Sequence, residues 1–248
     1  MRIDGVPMRD SYYGNFNIDE ILPINQIERI EIINGPCSVL YGANAFASVI
    51  NISTKTKGRS VHAGYAEYDS KTVGVKGDLA DFYGYLDYFK TNGFAPELNS
   101  DGKSWDHPQE KERSYVLLKH TTDSFQTVAS YTDYEYQERY KTTNKDYSIV
   151  RKPAYISTQY SKQFNDKNSI NIQGYISHYT LGKERYKYKS VNLLKSYDEE
   201  YLDTFLYGID FDYSLIQKNH SIIAGISYQQ DKGDDIRQRD ILPDIKAF

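Results

Sequence analysis

From Gly58 onward the chain alternates apolar and polar residues with a period of two, over segments of about 9–14 residues separated by turn residues. Phe205, Tyr207, Ile209, Phe211, Tyr213 and Leu215 fall on one face of residues 204–216, whereas Thr204, Gly208, Asp210, Asp212 and Ser214 fall on the other. The segments at 169–180 and 221–230 repeat the pattern, with Ile170, Ile172 and Ile176 opposing Asn171, Gln173, Tyr175 and Ser177 in the first. Successive side chains of a strand point to opposite faces, so this periodicity predicts strands with one greasy and one wet side. Nine strands are predicted, near residues 60–68, 72–79, 82–91, 113–121, 124–137, 154–164, 169–181, 203–216 and 220–231.

The connections sort by length. Ala80-Asp81, Thr122-Asp123, 165–168 and 217–219 are short, whereas 92–112, 138–153 and 182–202 are long and polar; only the first hairpin, around 69–71, breaks the alternation. Short turns at one end and long loops at the other characterise outer-membrane barrels, whose strands need about 9–11 tilted residues to cross the hydrocarbon. Tyrosine, 25 residues in 248, clusters at predicted strand ends and loop stems: Tyr131, Tyr134, Tyr136, Tyr140, Tyr179, Tyr186, Tyr188, Tyr197 and Tyr201. That placement predicts an aromatic girdle at the headgroups. A tyrosine-rich soluble sandwich is the competing architecture.

Composition excludes other classes. No apolar run reaches the roughly 18 residues of a membrane helix. A net charge of −4 gives no general attraction to nucleic acid. One cysteine, Cys37, supports neither a disulfide framework nor a thiolate metal cluster and reads as a small apolar residue. The five histidines lack metal-ligand spacing, so no cofactor or metal is expected. Asp210 and Asp212 share a strand face about 7 Å apart; they read as lumen-wall charges, with a glycosidase-like pair as the alternative. Residues 1–7, MRIDGVP, show no secretory signal and open on a strand end and the turn Asp4-Gly5, so the chain is expected to start inside a larger domain.

Residues 1–57 differ from the rest. Ile27–Ile33 reads as a strand ended by Gly35-Pro36, Ser38 caps a short helical turn through Asn44, and Val49–Lys55 reads as a second strand. The run IERIEIINGPCSVLYGANAFASVINISTK at 27–55 resembles the C-terminal part of the plug domain of TonB-dependent outer-membrane receptors, as do RIDGVP at 2–7 and Leu22-Pro23. The resemblance implies a mainly β fold: a small α+β plug fragment at 1–57 before a partial antiparallel transmembrane β-barrel at 58–248. Its signature residues, Arg29, Gly35, Pro36, Leu40, Tyr41, Gly42 and Asn51, read as structural, with Gly35 freeing the backbone and Pro36 fixing the next φ.

Three departures stand out. Asn34 replaces a common arginine, which leaves Arg29 for the plug-to-wall carboxylate pairing that the family uses; Ala47 and Ser48 replace glycines; and Cys37 stands where a small residue is usual. The resemblance implies an outer-membrane receptor of a Gram-negative bacterium, with no bond made or broken. Its ligand, an iron complex and foremost a ferric siderophore, binds outside, and TonB then displaces part of the plug using the inner-membrane proton gradient. Cobalamin and haem are the alternatives within the family. The apical loop around Tyr12, Tyr13 and Asn15 is the candidate ligand-facing segment.

Nine strands cannot close around a plug, because barrel diameter grows with strand number and plugged transporters have about 22. An open sheet would leave unpaired backbone in lipid. The chain is therefore expected to be a piece of a longer receptor. A surface β-protein binding a partner without transport, and an outer-membrane enzyme, are the readings from other classes.

Overall fold

A computed structural model describes residues 1–9, 17–34, 48–93, 109–140, 145–190, 193–217 and 220–241. The N-terminal unit is a four-stranded sheet of β1 (Arg2–Ile3), β2 (Val6–Pro7), β3 (Ile27–Asn34) and β4 (Ser48–Thr54), in the order β2-β1-β4-β3. β1 and β2 form a two-residue hairpin whose central residues, Asp4 and Gly5, have φ of 48° and 79°. Positive φ at both positions is the geometry that Asp-Gly favours in tight hairpins. β4 pairs antiparallel with β3 and parallel with β1, and a helical turn α1 (Ile18–Ile21) and a 3-10 turn (Ile24–Gln26) lead into β3. The two predicted strands stand within a residue of the expected limits; the predicted helical turn at 38–44 lies outside the described residues.

The other nine strands form one antiparallel meander: β5 (Ser60–Ala66), β6 (Ser70–Leu79), β7 (Phe82–Thr91), β8 (Glu110–Thr121), β9 (Phe125–Tyr140), β10 (Lys145–Asn165), β11 (Asn168–Ser190), β12 (Leu193–Gln217) and β13 (His220–Ile241). Neighbours in sequence are neighbours in space throughout, and the sheet does not close, β5 and β13 being its two edges. It is a partial barrel wall, as the strand count predicted.

The two faces of this sheet are chemically distinct. Outward from the plug, Leu86, Leu118, Ile156, Ile176, Ile209 and Ile226, on β7, β8 and β10 to β13, are all about half exposed or more. So large a contiguous apolar face is not stable against water and marks a surface made for lipid. One row across successive strands bounds it: Tyr88, Ser114, Asp133, Lys152, Thr180 and Asp203, with the Lys152 side chain 3.0 Å from that of Asp133. The switch from aliphatic to charged within one row places the hydrocarbon boundary there.

Two expectations are corrected. Residues 138–153 and 182–202 are not loops over most of their length: β9 runs to Tyr140, β10 starts at Lys145, β11 runs to Ser190 and β12 starts at Leu193. These arms rise past the charged row, where the outward aliphatic stripe ends and only Ile149, Leu181 and Leu202 cluster on the inner side, so the sustained alternation seen below is lost. Cross-strand pairs hold them instead, including Tyr186–Tyr197 with ring centroids 4.7 Å apart and Arg185–Asp198 at 2.8 Å.

The tyrosine girdle is the second. Tyr131 faces outward, but Tyr134 and Tyr179 are buried on the inner face. Tyr83, Tyr85, Tyr115, Tyr155 and Tyr175 are buried there too. The plug supplies partners for three of these hydroxyls, Gln26 for Tyr83, Asn25 for Tyr85 and Asp4 for Tyr155, which acyl chains could not.

Candidate functional site: the plug–wall interface

The two sheets meet over the inner face of β7–β12. Ile3, Val6, Met8, Leu22 and Ile52 of the N-terminal unit share one buried cluster with the inward tyrosines and with Leu117, Val128 and Leu206. Burying such side chains contributes about 1.5–3 kcal/mol each relative to exposure, so the seam is held largely by apolar contact.

Polar contacts set its register, and they converge on the β1–β2 turn. The Asp4 carboxylate accepts four hydrogen bonds: from the Thr54 backbone N–H (2.9 Å) and hydroxyl (2.7 Å), from Lys119 Nζ (3.0 Å) and from the Tyr155 hydroxyl (3.1 Å). Lys119 also donates to the Thr54 carbonyl at 2.7 Å, and both side chains of the Asp4–Lys119 pair are almost fully buried. The Gln173 amide donates to the Asp4 carbonyl at 2.9 Å, and Arg2 reaches Asp210 at 2.5 Å. The short β1–β2 hairpin is thus tied to β8, β10, β11 and β12.

Outlying ties follow the same pattern. Arg9 meets Asp231 at 2.6 Å, Arg151 pairs with Glu20, and the Tyr83 hydroxyl donates to Gln26 at 2.7 Å. Each joins a group on the N-terminal unit to a wall strand. Nothing in this constellation activates a nucleophile or positions an acid against a base. It is a set of breakable contacts between two bodies, and the ion pairs, once separated, can be hydrated.

Gly5 shows how tight the turn is. Its φ is in the left-handed region and a Cβ there would sit on the Gln173 side-chain amide. Gly5→Val is expected to push Gln173 off the Asp4 carbonyl and cost about 1–3 kcal/mol. Thermal melting of the receptor carrying this chain checks it, and an unchanged midpoint would contradict the packing described.

The expected site residues are distributed as follows. Tyr12, Tyr13, Asn15, Gly35, Pro36, Leu40, Tyr41 and Gly42 lie outside the described residues. Asn51 donates to Glu31 at 3.0 Å across β3 and β4. Arg29 is exposed and lies 3.4 Å from Glu31 of its own strand; wall carboxylates instead meet Arg2 and Arg9. Asp210 lies on the inner wall, as its strand face predicted, and holds the plug. Sequence reasoning missed Lys119, Arg2 and the second role of Asp4. A signal existed for one of them: Lys119 continues the inward stripe of Tyr115 and Leu117, where a buried charge requires a counter-ion.

A small sheet pinned inside an arc of lipid-facing strands defines a plugged outer-membrane barrel. Comparison with known proteins gives the family. Residues 1–49 match the TonB-dependent receptor plug domain. Over 49 residues the chain is 41% identical to the ferric enterobactin receptor of Pseudomonas aeruginosa, covering 20% of this chain and 7% of that protein. Over 237 residues it is 26% identical to the vitamin B12 transporter BtuB of Vibrio vulnificus, covering 94% of this chain and 32% of that protein. The fold superimposes on the copper transporter OprC with a TM-score of 0.65 at 11% identity, over 96% of this chain and 38% of that one. The chain is part of a TonB-dependent receptor, plug segment followed by barrel strands, and its place is the outer membrane of a Gram-negative bacterium. It spans about a third of the transporter that it matches along most of its length.

Proposed function

We propose that residues 1–57 are the C-terminal part of the plug and 58–248 the N-terminal part of the barrel of a receptor for TonB-dependent, energised uptake of an iron complex. The observation that carries this is the seam itself: a separate sheet held in the bore by hydrogen bonds and ion pairs, with no covalent tie beyond the chain. Such a body can be displaced and returned. The protein is not an enzyme in this reading; its partners are TonB with the inner-membrane energising complex, the cargo, and outer-membrane lipid. A ferric siderophore is the first choice of cargo, in keeping with the identity to a ferric enterobactin receptor over the plug segment. A cobalamin is the second, favoured by the alignment with a vitamin B12 transporter along nearly the whole chain.

The test uses the receptor that carries this chain, expressed in cells without their own enterobactin and B12 receptors. Radiolabelled ferric enterobactin and cyanocobalamin are offered separately, with and without TonB. Accumulation of one label that disappears without TonB is the expected result; accumulation of neither, or accumulation that survives loss of TonB, overturns it. Tyr12, Tyr13 and Asn15 are proposed to face the cargo. Replacing both tyrosines with alanine is then expected to weaken binding of the accumulated label about tenfold or more, since each lost aromatic contact is worth about 1 kcal/mol. Unchanged affinity would remove them from the site.

A further inference from the structure

The connector between the two sheets is bonded at both of its ends. β4 ends at Thr54 and β5 begins at Ser60, so residues 55–59 alone join plug to wall. At the plug end the Lys55 backbone N–H donates to the Gln26 carbonyl at 2.9 Å. At the wall end the Gly58 N–H donates to the Asp78 carboxylate at 2.8 Å. The Arg59 guanidinium donates to the Asp78 carbonyl at 2.7 and 3.0 Å. Thr56 and Lys57 are what remains between these bonds.

The two ends are also joined through the wall. Asp78 stands directly opposite Tyr83 in the β6–β7 ladder, and the Tyr83 hydroxyl donates to the Gln26 side chain at 2.7 Å. Gln26, which is fully buried, thus holds Lys55 by its carbonyl and Tyr83 by its amide oxygen. The path runs from plug to connector to β6–β7 and back to the plug. Gly58 has φ of 116°, where a residue with a side chain is strained, and it meets Asp78 in that conformation.

These bonds set the slack. An extended chain covers at most about 3.3–3.6 Å per residue, so the three steps from Lys55 to Gly58 reach about 10 Å. With Asp78 released, the next fixed residue is Ser60, paired with Lys76, and the reach grows to about 17 Å. The Arg59–Asp78 ion pair itself, at 3.6 Å with Arg59 exposed, contributes little. The bond from Gly58 carries the wall end.

We propose that Asp78 is a positioning residue for the plug. It clasps the connector into a strap with two residues of slack, which holds the end of β4 within about 10 Å of β6–β7. In the transport reading above, this limits how far the barrel end of the plug travels; the strap itself does not depend on that reading.

Trypsin cuts after Lys55, Lys57 and Arg59, so the connector reports on its own opening. The folded receptor that carries this chain is digested briefly in detergent, and cleavage within 55–60 is read by mass spectrometry. Asp78→Ala is expected to raise that rate about tenfold, the size of one hydrogen bond to a charged acceptor, with barrel melting unmoved. Asp78→Asn keeps an oxygen for the Gly58 N–H and is expected to restore most of the protection. Asp81→Ala removes an exposed carboxylate from the adjacent turn and is expected to behave as the parent. Gly58→Ala has room for its methyl group but not the φ, and is expected to match Asp78→Ala; it gives the same reading if that variant does not fold. Equal cleavage of the parent and the variant that loses the clasp overturns the proposal. So does an increase that Asp81→Ala reproduces, or one that Asp78→Asn fails to reverse. Because neither TonB nor cargo enters this measurement, its failure is distinct from failure of the uptake experiment.

Discussion

Replacing Lys119 with methionine is expected to loosen the plug by about 3–5 kcal/mol, the usual cost of leaving one partner of a buried ion pair alone. Asp4 would keep its bonds from Thr54 and Tyr155, but its charge would stand unneutralised in a seam lined by Ile3, Leu117 and Tyr155. The chain itself should still form its strands, because Lys119 occupies one inward position of β8 and the ladder to β7 and β9 does not depend on it. The measurement is therefore local. Protease cleavage within residues 1–57 of the folded receptor should accelerate by two orders of magnitude or more, since each 1.4 kcal/mol is tenfold in the open population, while barrel melting moves little. The double variant Asp4→Asn with Lys119→Met should be milder than Lys119→Met alone, because it removes both charges. A double variant as damaging as the sum of the singles would show that Asp4 and Lys119 act independently.

A second large effect is expected on the opposite face of the wall. Ile176→Arg places a cation in the middle of the lipid-facing band, between Ile156 and Tyr207, and should cost about 2–4 kcal/mol. Ser177→Arg, one residue along, points the same charge into the bore and provides the contrast. Folding yield into lipid vesicles, read by heat-modifiable gel mobility, should fall for the first by a factor of about 30 or more at equilibrium, the size of a 2–4 kcal/mol penalty. Equal yields for Ile176→Arg and the parent would contradict the assignment of this face to acyl chains.

The parts legible in the sequence were those in which one face of a strand is greasy and the other wet. Residues 204–216 and 169–180 gave up both their strand character and the orientation of Asp210, because lipid on one side and plug on the other enforce a strict alternation. The same argument explains the failures. Above the charged row the arms of β9 to β12 lose the outward aliphatic stripe and keep only a small inward cluster of Ile149, Leu181 and Leu202, so their strand character is carried further out by pairs such as Tyr186–Tyr197. The tyrosines misled for a related reason. Tyrosine suits any place that is apolar around the ring and polar at its tip, and the plug–wall seam offers that as well as the headgroup region does. Of the interface, Asp4 was visible only as a turn residue. That its carboxylate also gathers Lys119 and Tyr155, 115 and 151 residues away, is information that no local pattern holds.

The long arms have a mechanical consequence. β12 has 25 residues, which at about 3.3 Å per residue gives roughly 80 Å of continuous ribbon, well over what a tilted strand needs to traverse the hydrocarbon. From Tyr197 inward this ribbon is laddered on both edges, to β11 and to β13. Bending it near the bilayer would break two sets of backbone bonds at once. The stems therefore behave as stiff posts, and any folding-over that traps a visitor at the mouth is left to the tips.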